Sequence, residues 1–399
     1  MATRARILAD YVSSGDELAL KAPLASPTFT GTTTVSGDLV PSSPLSHRNM
    51  IINGAMQIDQ RKNGAIATDR GATDDDYVTA DRWREALNIG AGRITEQCVT
   101  DVTDLAGFHH ALKIDCTTTG GAPTSSEYVI MKQRIEGFNL QQMEKGFSSA
   151  KPVTLSFWVK GTASRTYVVE LRDTSSTARS ASQQFSATTS WVKHTYTFPG
   201  DTGGDKIPND NTHGLEVNFW LSAGSNFTSG SYTALTWANH TDANTAVGIS
   251  GSGSGILTTT SDELHITGVQ LELGSSATPF DHRSYGDELA RCQRYYYTHL
   301  DGNSKSFGSG FYHSNSELGW YTQFPVTMRT TPALEHTDGT DEFIMTGPSN
   351  DYFSNIDIVL ASTTGAAHYN ANQASGTKGE AGRMQANAST SYIAYTAEL

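Results

Sequence analysis

The sequence predicts a mainly β chain built around a central antiparallel jelly-roll β-sandwich. Three observations predict it. First, several runs alternate apolar and polar residues with a period of two, among them Val153, Leu155, Phe157 and Val159 against Thr154, Ser156, Trp158 and Lys160, the signature of a half-buried strand. Second, only 17% of the 399 residues are charged and Gly, Ser and Thr abound, a balance typical of polar, turn-rich β proteins. Third, long Gly/Ser/Asn loops separate the runs and no strand–helix–strand rhythm is present, which favours antiparallel pairing.

Residues 1–48 are expected to form an attachment segment. Ile7, Leu8, Tyr11 and Val12 make i, i+4 pairs over residues 1–18, a helix too short to stand alone in water. Residues 19–48 are rich in Pro, Thr and Ser and poor in apolar side chains. Such a segment gains order only against other chains.

Residues 49–283 are expected to form the sandwich. Beside 153–160, strands are predicted at Tyr167–Arg172, Val192–Phe198 and Leu215–Ser222, with a short helix near Phe138–Lys145. The last strand lies in Glu263–Leu273. Leu264 and Ile266 set one phase of alternation, whereas Val269, Leu271 and Leu273 follow the opposite phase. A one-residue slip would turn half of the strand inside out, so a β-bulge is expected at Thr267-Gly268.

A junction helix follows at 284–297. Ser284 caps it with Asp287 three residues on, and Leu289, Cys292 and Tyr296 form its apolar stripe. Residues 298–399 then form a small C-terminal β tip. Its strands are predicted at Leu318–Phe324, at Ile356, Ile358 and Leu360, and at Ile393–Leu399. Between these, Ala361–Ser391 reads as variable loop, and an inter-chain contact is expected to supplement a thin core.

The formal charge of −13 and pI of about 5.3 argue against a nucleic-acid surface, which needs phosphate-neutralising cations. No apolar run is long enough to span a membrane, so no membrane insertion is expected. The N-terminus reads as lacking a signal peptide. Cys98, Cys116 and Cys292 have no CxxC spacing and read as reduced core thiols, although Cys98 and Cys116 could pair.

Candidate binding residues come from strand phase. Trp158 and Trp220 fall on the polar phase with Lys160, Glu170, Arg172, Glu216 and Asn218. Exposed aromatic rings among polar groups are what a sugar face needs; the same residues also suit a face covered by a loop or a neighbouring subunit. The acidic loops holding Asp74, Asp75, Asp76 and Asp81, and Asp201, Asp205 and Asp210, do not match EF-hand spacing. A solvated turn is the simpler reading for each, with a calcium site the alternative, and no other cofactor is expected. No HExxH, GxSxG or P-loop pattern occurs, and no repeated β-helix coil. The expectation is a protein that is not an enzyme.

Several stretches also carry a resemblance. Lys21-Ala-Pro-Leu-Ala-Ser-Pro-Thr-Phe-Thr-Gly31 resembles a short motif of bacteriophage tail-fibre shafts and collars. Asn49–Arg61, Asp81-Arg82-Trp83, Leu155–Thr162, His265–Tyr297 and Phe324–Pro332 are similar, in that order, to landmarks of phage tail fibres, including those of phages infecting marine bacteria. The sandwich resembles carbohydrate-binding modules. The resemblance implies a homotrimeric virion protein of the phage tail. Residues 1–48 would meet the tail or an adaptor, and loops beyond the junction would bind host surface polysaccharide or lipopolysaccharide. The other readings are a purely structural baseplate or collar component, and a polysaccharide-degrading enzyme.

Overall fold

The structure, a computed structural model, describes residues 47–174, 177–249, 255–347, 349–371 and 373–399. The predicted N-terminal helix, almost all of the extended segment and the Lys21–Gly31 motif lie outside the described residues.

Eleven strands form the first sheet system: β1 (Ala67–Ala72), β2 (Arg84–Val99), β3 (Ala111–Thr118), β4 (Tyr128–Glu136), β5 (Val153–Gly161), β6 (Arg165–Asp173), β7 (Arg179–Ala187), β8 (Val192–Phe198), β9 (His213–Ala223), β10 (Ala238–Asn239) and β11 (Glu263–Leu273). Ten of them run in the spatial order β10-β7-β6-β9-β4-β2-β3-β11-β5-β8, and β1 pairs with β2 off this path. The long strand β2 pairs with β4 over 84–88 and with β3 over 93–99. Gly90 and Gly92 fall between the two halves, where absent side chains ease a sharp corner. The sheet therefore folds over at β2 into two layers, β3-β11-β5-β8 and β4-β9-β6-β7. That interleaved order is a jelly roll, as the sequence predicts, and the predicted strands at 153–160, 167–172, 192–198 and 215–222 are all present.

The space between the layers is apolar. Phe157 of one layer meets Phe219 and Phe185 of the other edge-on, with ring centroids 5.0 and 5.1 Å apart. Leu155, Leu271, Val169 and Val217 fill the same core, each such buried side chain contributing about 1.5–3 kcal/mol. The expected helix near Phe138–Lys145 is two 3-10 turns, Gly137–Asn139 and Gln141–Met143. Cys98, Cys116 and Cys292 are buried free thiols.

The predicted bulge is present. The β11–β5 register shifts between Thr267 and Gln270, and Gly268 has φ +62°. A side chain there would press on Phe108 and Trp158, at 2.8 and 2.9 Å from a Cβ, so the extra residue must be glycine. The shift keeps Leu264, Ile266, Val269 and Leu271 in the core. Gln270 and Glu272, on the other face, are buried too, because the Thr278–Asp281 passage folds over them: Thr278 N–H donates to Glu272 and Asp281 N–H to Gln270.

Helix α1 (Tyr285–Gln293) follows, with Ser284 Oγ accepting the Asp287 N–H at 3.2 Å and donating to its carboxylate at 2.7 Å. Cys292 is fully buried and Leu289 partly so. The predicted extent to residue 297 is corrected. The helix stops at Gln293, and Tyr296 lies in strand β12 (Tyr296–Asp301). The physical reason is tertiary: Tyr296 and Tyr297 pair with another strand, and that ladder replaces a further helical turn.

The remaining strands are β13 (Ser306–Ser314), β14 (Glu317–Gln323), β15 (Ala333–His336), β16 (Phe343–Thr346), β17 (Asp351–Phe353), β18 (Asp357–Ala361), β19 (Gly365–Asn370), β20 (Ala381–Ala386) and β21 (Tyr392–Thr396). They make a three-stranded sheet, β12-β21-β15, and a seven-stranded one, β17-β16-β20-β13-β14-β19-β18. Two expectations are corrected here. The stretch 361–391 contains β19 and β20, whose inward residues Ala366, His368, Asn370, Met384 and Ala386 are buried; small and polar core residues hid the alternation. Leu360 is 75% exposed, because the β18 register shifts between Ile358 and Leu360 and rotates it outward. The core of this part is aromatic, with Trp320, Phe324, Phe343 and Tyr395 at its centre.

The described residues, from 47 onward, belong to one compact unit. Arg329 joins its parts, donating to the carbonyls of Ala397 and Glu398 at 2.6 Å and of Asn211 at 3.1 Å.

Candidate functional site

The outer face of the β4-β9-β6-β7 layer carries cross-strand rows that strand alternation builds directly. Ala86, Ile130, Trp220 and Val168 make an apolar row. Arg84, Lys132, Asn218, Glu170 and Ser182 make a polar row beside it. Arg134, Glu216, Arg172 and Ser180 make the third. A shallow groove of about 170 Å³ runs over these rows. Buried small-molecule sites start at roughly 300 Å³, so this groove suits contact with part of an extended polymer.

The floor is rigid. Glu170 is fully buried, and its Oε2 accepts the Trp220 indole N–H at 3.0 Å and the Asn218 amide at 3.1 Å. His240 approaches its other oxygen at 3.4 Å and Asp242 at 3.1 Å. Burial would lower the His240 pKa, but Glu170 and Asp242 outweigh that and raise it. Tyr128 and Phe227 form the apolar wall, with ring centroids 5.5 Å apart and each packed near Trp220.

The charges are uneven. Arg84 pairs with Asp75 at 2.7 Å and Arg134 with Glu216 at 2.9 Å. Burial alone would raise the Glu216 pKa, yet Lys132, Arg134 and Arg172 together hold it below the usual carboxylate range. Burial pushes the Lys132 pKa down, with Glu216 opposing.

Of the sequence-predicted residues, the fold brings Glu170, Arg172, Asn218 and Trp220 together here. Trp158 and Lys160 are not with them: β5 places both on the outer face of the opposite layer. Of the two readings of the tryptophans, an open sugar platform or a covered face, the structure shows the covered one. Trp220 is 5% exposed beneath Phe227 and Tyr128. Trp158 packs with Phe108, Trp191 and Phe280 under the 100–110 loop. Lys160 lies 2.5 Å from Asp104, which also accepts the Trp191 indole at 2.8 Å; these two hydrogen bonds lower the Asp104 pKa. The junction residues Ser284, Asp287, Leu289 and Cys292 cap and pack α1 and stand apart from the groove.

Sequence reasoning missed Tyr128, Lys132, Phe227 and His240. The first two were legible, since Tyr128, Ile130, Lys132 and Arg134 alternate with Val129, Met131, Gln133 and Ile135. Phe227 and His240 come from loops and carry no periodic signal.

The acidic loops hold protein cations. Asp74 and Asp76 meet Arg70 at 3.6 and 3.1 Å. Asp201 meets Arg179 at 2.9 Å and Lys145 at 3.3 Å. Among the described residues, no group of three or more His, Cys, Asp or Glu side chains could hold a metal ion, and no helix is long and apolar enough to cross a membrane. A larger cleft of about 900 Å³ borders Tyr77, Arg134, Tyr296 and Leu399. Its polar groups serve the joint: Tyr77 and Arg134 both donate to the Leu399 carbonyl, at 3.0 and 2.8 Å.

No protein-family model and no curated protein matches the chain. Among solved structures, the chain is similar to a CBM4 structure at 12% identity and TM-score 0.29, over 56% of this chain and 98% of that one. It is similar to the enzymatically active domain of bacteriophage CBA120 tailspike protein 4 at 12% identity and TM-score 0.28, over 56% of this chain and 21% of that one. A family 11 carbohydrate-binding module of a Clostridium thermocellum cellulase matches at 12% identity and TM-score 0.27, over 54% and 99%. Overlaps this slight carry no statement about ligand or activity.

Proposed function

We propose that the chain is a non-enzymatic bacteriophage tail-fibre protein that binds host surface glycan through the outer groove of its jelly roll. The observation that carries this reading is the groove itself: a buried Glu170, through one carboxylate oxygen, holds Trp220 and Asn218 beside the Tyr128–Phe227 wall. Sugars bind through apolar ring faces laid on aromatic side chains and hydroxyls placed on polar ones. The ordered fibre-like landmarks of the sequence supply the virion setting. Recognition is thereby assigned to the sandwich face as well as to the loops of 298–399. Weak contacts repeated over three chains give avidity.

Homotrimerisation, with residues 1–48 meeting the tail or an adaptor, belongs to the same proposal. Its support within the described residues is the outer face of the seven-stranded sheet, where Phe311, Tyr321 and Leu360 are 50, 57 and 75% exposed. Such a face is costly in water and suits a second copy.

The test is adsorption of the full chain to host cells and to arrayed surface glycans, comparing the natural sequence with the Tyr128→Ala, Phe227→Ala double variant. Loss of binding with an unchanged melting profile is expected. Undiminished binding overturns the assignment, release of reducing ends indicates a hydrolase, and a monomer in sedimentation at micromolar concentration overturns the trimer.

A further inference from the structure

We infer that the groove selects acidic glycans, with Lys132 and Arg172 engaging the carboxylate or sulfate of a sugar ring; this rests on the glycan-binding reading above.

The chain as a whole is strongly acidic, at −13, yet the outer face is locally cationic where its second and third rows meet. Lys132, Arg134 and Arg172 surround one carboxylate, Glu216, and only Arg134 makes an ion pair with it, at 2.9 Å. Among the described residues, neither the Lys132 nor the Arg172 side chain has an ion pair within 4.0 Å or a hydrogen bond. The other charges at the groove are matched: Arg84 with Asp75, and His240 with Asp242 and Glu170. Two positive side chains are thus left over on one sheet face, Lys132 on β4 and Arg172 on β6, on either side of Glu216 on the intervening β9.

Their surroundings mark them as ligand groups. Among the described residues, the Nε of Arg172 and the Oδ1 of Asn218 are buried without a hydrogen-bond partner, and Asn218 is 3% exposed. A buried donor or acceptor left empty is unfavourable, and an occupant supplying both kinds of partner relieves it. An acidic sugar does so. Its anionic group takes the charge-assisted hydrogen bonds of Arg172 and Lys132, a hydroxyl donates to Asn218, and the ring lies toward Tyr128 and Phe227. A neutral sugar satisfies Asn218 but leaves both cations unmatched. Because the cations are partly withdrawn from water, their attraction for an anion is screened less than that of open surface charges.

The test is titration calorimetry of the full chain with a panel of acidic (uronate-containing and sulfated) and neutral oligosaccharides, on the natural sequence and on Lys132→Met and Arg172→Met. Methionine keeps the apolar stem and removes the charge, and circular dichroism melts verify the fold. Acidic members are expected to bind more tightly than their neutral counterparts, to weaken as salt rises, and to lose roughly tenfold in each variant. Preference for neutral members, or acidic binding unchanged in both variants, overturns the inference while leaving glycan binding intact. No binding to any member overturns both.

Discussion

Trp220 donates its indole N–H to Glu170 at 3.0 Å, and that carboxylate is completely buried on the outer side of the sheet. The pair ties the apolar row of the groove to the polar one. Glu170→Gln removes the charge that His240 faces and turns an acceptor oxygen into a donor in front of existing donors. A loss of about 1–3 kcal/mol is expected, together with weaker glycan binding. Urea unfolding followed by tryptophan fluorescence measures the first, and equal midpoints for variant and natural chain would contradict it.

Gly268 tests the bulge. Its φ of +62° and the nearness of Phe108 and Trp158 leave no room for a side chain. Gly268→Ala is expected to cost about 1–3 kcal/mol. The calorimetric melting temperature is the readout, and a rise in it would show that the turn tolerates a Cβ.

His368 predicts a pH dependence. It is buried against Trp320 at a centroid separation of 5.1 Å and shares a 2.7 Å hydrogen bond with the Tyr395 hydroxyl. Burial, with His299 and His336 nearby, pushes its pKa down to about 4 from an ordinary 6.5. The unfolded chain therefore takes up this proton first as pH falls. The stability it supports is complete above about pH 6.5 and is lost as pH drops toward about 4, a change on the order of 3 kcal/mol. His368→Gln should flatten the stability curve between those limits. A variant that keeps the natural slope would remove His368 as its source.

Arg329 joins the C-terminal strands to the sandwich through three backbone carbonyls. Arg329→Met leaves those acceptors unserved, and a loss of about 2–4 kcal/mol is expected. Hydrogen exchange should accelerate around 211 and 397–398 before it does in β5 or β11. Uniform acceleration across the chain would mean that the joint is not a local element.

Legibility followed periodicity. The strands 153–160, 215–222 and 263–273 were readable because one face of each lies in an apolar core, and the Gly268 bulge was readable because the phase reversed. β19 was not, since its inward residues are Ala366, His368 and Asn370, which show no apolar alternation. The helix end was missed because Tyr296 obeys the helical stripe while a strand partner claims it. At the site, strand phase put Glu170, Arg172, Asn218 and Trp220 on one face, but phase says nothing about which layer a strand joins. Trp158 and Lys160 therefore went to the wrong company.

The sequence by itself determined the β class, the positions of most sandwich strands, the bulge and the Ser284 cap, because each follows from local sterics and from which side chains avoid water. Only the tertiary structure decided that β2 turns the sheet over into two layers, that Trp220 is covered rather than open, and that the Lys132 and Arg172 side chains find no ion pair among the described residues. Those outcomes depend on contacts between residues far apart in the chain, where burial and charge pairing are settled by what happens to stand opposite.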